Sequence, residues 1–205
     1  MMDTAAATHN PLQHARTTVL PGGDRSHSTR GVAAMCTSML DQCAEFIAAL
    51  PDGVFTANST VLAGGTIGKH VRHSLDHFAA ALAGAGDGLS PGTLIEYDRR
   101  QREVPVEVDR AIAKDAALAL SKHIGALPES VLSGPARIRM MLSSDGVEAE
   151  LQTTLARELA FAAHHAIHHH AMIKAIAAEF GVPSSPDFGK APSTLRFEAT
   201  APDRS

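Results

Sequence analysis

The stretch LARELAFAAHHAIHHHAMIKAI, Leu155 to Ile176, decides the fold, because it sets five histidines into positions 164–170 of what otherwise reads as an apolar helix. A purification tag would be terminal and uninterrupted, whereas this run is internal and divided by Ala166 and Ile167. A polar helix face and a metal site remain, and spacing separates them. Leu155, Glu158, Ala162, His165, His169, Ile173, Ile176 and Phe180 follow three-four spacing, the inward seam of a helix bundle. That seam puts His165 and His169 at core positions. The pair His164 and His168 has the same spacing but shares its row with Arg157, Phe161, Ala171 and Ala175, a less apolar set. Two imidazoles four residues apart lie one turn apart on one face, so both can reach a single ion.

Working outward, the fourth helix is expected from about Thr154 to Phe180, closed by Gly181 and Pro183. Before it, ARIRMMLSSDGVEAELQ changes period. Ile138, Met140 and Leu142 alternate with Arg137 and Arg139, and Val147, Ala149 and Leu151 alternate with Glu148 and Glu150. This is a β-hairpin near residues 136–152, turned at SSDG, with the arginines of one arm facing the glutamates of the other. A first helix starts at about Gly31 and stops before Pro51 and Gly53. A second is capped by Thr66 and frays into Gly84, Gly86 and Gly88, and a third spans about Glu107 to Leu127, ended by Pro128. Between them, DGLSPG is a turn and LIEYDRRQREVPVEVD a charged connection, most simply a solvated loop.

The second helix carries His70, His73 and His77, again on one stripe, along the flank of an apolar face made of Ile67, Val71, Leu75, Phe78 and Leu82. Periodicity alone favours His70 or His77. A single histidine on a helix is usually a tolerated polar residue, and His123 on the third helix is read that way. Eight histidines on two helices, paired at ligand spacing on both, point to a shared metal site.

With 205 residues, 44% hydrophobic and 4% aromatic, the chain suits one alanine-rich helical domain. A net charge of −4 without a long basic run argues against nucleic acid or an anionic membrane as partner, and no window approaches a membrane span. Residues 1–30 have no sustained period and read as a disordered leader, residues 31–197 as the domain, and 198–205 as a flexible tail; SSPDFGKAPSTLRFEATAPDRS shows no helical period. Without a secretory signal in the leader the expected address is cytoplasmic. Cys36 and Cys43, seven apart on one helix and roughly 10 Å apart by helical rise, are expected to be reduced core residues.

Two helical pieces, TIGKHVRHSLDHF and LARELAFAAHHAIHHHAMIKAI, together with IEYDRRQREVPVEVDRA and DFGKAPSTLRF, resemble the DinB-like (YfiT-like) family over roughly residues 31–197. The resemblance implies an all-α four-helix bundle of DinB-like type, here with a small β-hairpin inserted before the last helix. It implies a divalent ion, zinc or nickel, held by one histidine of the second helix and a His-x-x-x-His pair of the fourth. Matching the segments gives His73, His165 and His169, with His77 as an extra or substitute ligand; the surplus His70, His164 and His170 depart from the simplest pattern.

Three neutral imidazoles leave such an ion an open position for water or an anion, and it can lower a bound water's pKa to roughly 7 or bind a thiolate. By resemblance the expected activity is a metal-dependent thiol S-transferase, with bacillithiol, mycothiol or glutathione as cosubstrate, or a hydrolase, acting on a small molecule. The alternative is a non-catalytic metal-stabilised helical bundle with a stress-related binding or assembly role; a homodimer is compatible with either. No catalytic residue is assigned. Glu158 lies about 10 Å along the axis from His165, suited to a substrate or ligand contact or to a favourable helix-start charge, and Tyr97, Asp98, Arg99 and Arg100 offer anion-binding groups at the mouth or a surface salt-bridged loop.

Overall fold

Three of the long helices begin where a polar side chain can take up free N–H groups. Thr66 Oγ1 accepts from Lys69 N at 3.0 Å at the start of α2 (Ile67–Ala83), and Asp109 accepts from Ala111 N and Ile112 N ahead of α3 (Arg110–Ala126). Thr154 does the same for Arg157 N at the start of α5 (Leu155–Glu179). The structure is a computed structural model describing residues 29–83, 93–98 and 104–201. The remaining described helices and strands are α1 (Thr29–Ala49), β1 (Leu94–Glu96), the one-turn α4 (Glu129–Leu132), β2 (Pro135–Met141), β3 (Glu148–Thr154) and α6 (Pro192–Thr200).

The helices α1, α2, α3 and α5 enclose the main core: α1 packs on α3 and α5, and α2 packs on α5 and α3. Fully buried Leu40, Ile47, Ile67, Phe78, Ile124, Leu159, Ile173 and Ile176 fill it. Burying a side chain such as Phe78 contributes about 1.5–3 kcal/mol, so this interior rather than intrinsic propensity holds the helices. Cys36 and Cys43 are free thiols inside it, pushed up to about 12 by burial and therefore protonated.

The expected all-α class needs correction: the protein is mostly helical but has a three-stranded sheet, ordered β1-β2-β3. The hairpin β2–β3 is antiparallel, with Ile138 opposite Leu151 and Arg139 opposite Glu150. β1 adds parallel to β2, pairing Ile95 with Ile138. This strand lies in the segment read as a solvated loop. Three residues are too few to display a period of two, and their charged member, Glu96, is taken up by Arg139 at 3.1 Å, while Arg139 also holds Glu150 at 2.6 Å. One arginine thus ties all three strands. Under the sheet, Ile95, Tyr97, Ala136 and Ile138 form a second small core against Ala80.

The segment after α5, read as having no helical period, folds back and forms α6. Phe188 stacks on Phe46 at 4.6 Å and on His170 at 4.7 Å, and Lys174 Nζ donates to the carbonyls of Ser185, Pro186 and Phe188. Gly189 lets the chain lie against α5, since a Cβ there would stand 2.6 Å from Ala171 N. Among the described residues no helix is long and apolar enough to cross a membrane. The leader apart from Thr29 and Arg30, the glycines at 84, 86 and 88, the DGLSPG turn, and Arg99 with Arg100 lie outside the described residues.

Candidate metal centre

The histidines meet because α2 packs along α5. Ala162 and Ala166 are buried on α5 beside His165 and His169 in sequence. His73 and His77 stand one turn apart on α2, His165 and His169 one turn apart on α5. His165 Nε2 lies 2.9 Å from His73 Nε2 and 3.1 Å from His169 Nε2. The His77 ring is 4.1 Å from that of His165 between centroids, and His73, His77 and His165 each offer a ligand atom within 4.8 Å of the others.

Two imidazoles on one tetrahedral zinc, each about 2.0–2.1 Å from it, place their nitrogens about 3.3 Å apart. The spacings around His165 are close to that. A neutral imidazole has one hydrogen, so His165 Nε2 can donate to at most one of its two Nε2 neighbours. A cation shared with His165 would satisfy these lone pairs, and the three residues whose ligand atoms all lie within 4.8 Å of one another are His73, His77 and His165. Burial first, and then the neighbouring imidazoles of His73, His165, His70 and His168, push His169 down to about 3. His169 is therefore neutral at pH 7, the form a metal requires.

Sequence reasoning set Glu158 on the inward seam but missed two contacts, its pairing with Tyr97 and that of His170 with Phe188. Glu158 is fully buried, and its carboxylate accepts from Tyr97 Oη at 2.8 Å, Thr153 Oγ1 at 2.6 Å and Arg157 Nη1 at 2.8 Å. Burial, and then this carboxylate, push the Tyr97 phenol well above its ordinary value. The Tyr97 ring packs against His77 at 5.2 Å and Phe161 at 5.8 Å, so a phenol–carboxylate pair lies directly behind the histidines. His170, counted as surplus, is 1% exposed and belongs to the aromatic stack with Phe188. The seam spacing marks the burial of Glu158, but no local signal marks either contact, since Tyr97 and Phe188 come from distant segments. His164 and His168 are exposed, as the seam argument expects, and His123, in the last turn of α3, lines a cavity that Tyr97 also borders. Asp98 caps the sheet by accepting from Met141 N at 2.8 Å.

No family model matches the chain, and no solved structure matches it. A curated protein does: FK506-binding protein 5 of Rhizopus delemar is 38% identical over 105 residues, 51% of this chain and 27% of that protein. The chain thus spans about a quarter of the length of the curated relative it matches. This finding overturns the resemblance to the DinB-like family, and the transferase and hydrolase labels carried by that resemblance go with it. The reason is physical: a helix that aims two imidazoles at one point spaces them about one turn apart, so the motif reports geometry and not descent.

Proposed function

We propose that the protein binds one divalent cation, zinc or nickel, between α2 and α5, using His73, His165 and His169 with His77 adjoining. The observation that carries this is the convergence of His73 and His169 Nε2 on His165 Nε2, at 2.9 and 3.1 Å. Three imidazoles leave a tetrahedral ion one further position, which we assign to a small molecule. On the far side of Tyr97 is a cavity of about 820 Å³ bounded by Leu75, Ala80, Leu94, Val106, Leu120 and His123, in the size range of small-molecule sites, although no histidine of the cluster lines it. Tyr97 is its wall toward His77. An ion there would supply Lewis acidity; the chain itself supplies the neutral imidazoles and a phenol kept protonated by burial.

The test is metal content of untagged protein after dialysis against a weak chelator. One equivalent is expected, and none would remove the proposal. Adding azide or a simple thiol to the cobalt-substituted protein then asks whether the remaining position exchanges. A changed visible spectrum supports the small-molecule site, whereas an unchanged one supports a closed, purely stabilising ion. A second reading comes from the relative, whose name says that it binds FK506: the 38% identity makes FK506 titration, followed by calorimetry, a direct check on this chain.

A further inference from the structure

His169 is held at both ring nitrogens. Its Nε2 faces His165 at 3.1 Å, while its Nδ1 lies 3.0 Å from Nδ1 of His70, which stands about one turn before His73 on α2. The carbonyl of His70 also accepts from the Ser74 hydroxyl at 3.0 Å.

We propose that His70 is a positioning residue that fixes the tautomer of His169. Both the tautomer and its consequence for metal affinity rest on the metal reading above, which is what calls for a lone pair at His169 Nε2. If His169 presents a lone pair at Nε2, its single hydrogen is on Nδ1, and that N–H needs an acceptor. His70 Nδ1 is the acceptor in place, which puts the hydrogen of His70 on its own Nε2. The His70 ring is lodged by its surroundings. A Cβ at Gly65 would stand 3.1 Å from His70 Nε2, so the glycine supplies the space the ring occupies. The Gly65 loop is fastened in turn: Ser59 N donates to Gly65 O at 2.8 Å, and Glu179 at the end of α5 accepts from Ser59 Oγ and from Thr60 N and Oγ1. The element that carries His169 thereby also anchors the loop that seats its partner.

The experiment uses the full, metal-free chain with nitrogen-labelled histidine, reading each ring by long-range proton–nitrogen correlation. Wild type is expected to show His169 with its hydrogen on Nδ1. His70→Phe, which fills the space without an acceptor, is expected to move it toward Nε2, and His70→Gln, which restores an acceptor, to bring it back. Should His70→Phe fail to fold, His70→Ala also removes the acceptor and is expected to give the same shift. A hydrogen on Nε2 in wild type, or a tautomer indifferent to these variants, overturns the proposal. Zinc titration adds the second readout: His70→Phe should bind about 10–100-fold more weakly at unchanged stoichiometry, with recovery in His70→Gln. Absence of zinc binding by a wild type that shows the expected tautomer would instead count against the metal centre and not against the role of His70.

Discussion

His73 Nε2 and His165 Nε2 stand 2.9 Å apart although 92 residues separate them in the chain. Replacing either with alanine is therefore expected to lower metal affinity by orders of magnitude, while His164→Ala, on the exposed side of α5, leaves stoichiometry unchanged. Metal analysis after dialysis of untagged variants reads this. His170→Ala should also keep the metal but melt several degrees lower, because it empties the space against Phe188.

The third ligand separates two neighbours. His77 shares a cluster within 4.8 Å with His73 and His165, but His169 Nε2 is 3.1 Å from His165 Nε2 and its far nitrogen is already engaged by His70. We expect His169→Ala to cost orders of magnitude in zinc affinity and His77→Ala about 10–100-fold, the effect of a residue that supports a ligand. Competition titration with a chromophoric chelator measures both, and the reverse ranking would transfer the ligand role to His77.

Glu179 gives a pH signature. Hydrogen bonds from Thr60 and then Ser59 pull its carboxyl from the ordinary 4.5 down to about 2. A depressed carboxylate stabilises the fold fully above its unfolded value and loses that contribution as pH falls through the folded one. Thermal melts of wild type and Glu179→Gln should therefore differ most above pH 4.5, with the variant lower, and converge near pH 2. Parallel curves would show that the carboxylate charge plays no part.

Gly189→Ala tests the docking of the C-terminal segment. The residue has φ 77°, and an added Cβ would press on the backbone of Ala171. The backbone conformation alone costs a non-glycine residue about 1–3 kcal/mol. Chemical denaturation should show at least that loss, and an unchanged midpoint would mean that the segment does not hold this position.

Much of the helical frame is legible in the sequence because its signals are local. Thr66, Thr154 and Pro128 mark helix ends, and the alternation from Ile138 to Leu151 gives the hairpin. The inward placement of His165 and His169 follows from seam spacing alone. What cannot be read depends on partners far away in sequence. Glu158 reads as a helix-start charge because its donor Tyr97 lies 61 residues earlier. β1 is hidden in a charged run, since pairing with β2 rather than its own pattern makes it a strand. His170 reads as superfluous because Phe188, which folds back over it, belongs to a later segment. Family identity is misread for a related reason: a short ligand spacing is reached by any helix with the same geometric task.

The parallel pairing of β1 with β2 also orders the folding events. Glu96 and Arg139 are 43 residues apart, whereas the hairpin closes through the short link between Met141 and Glu148. Loop-closure entropy then favours the hairpin by about 1.5 kcal/mol, so β1 joins late and its contacts govern the rate of unfolding more than the rate of folding. A three-residue strand at the edge of the sheet is also expected to open locally more readily than the helical core. Its release would carry Tyr97 away from His77 while the helices stay packed, so amide exchange at Ile95 reports how often the histidine cluster is uncovered from behind.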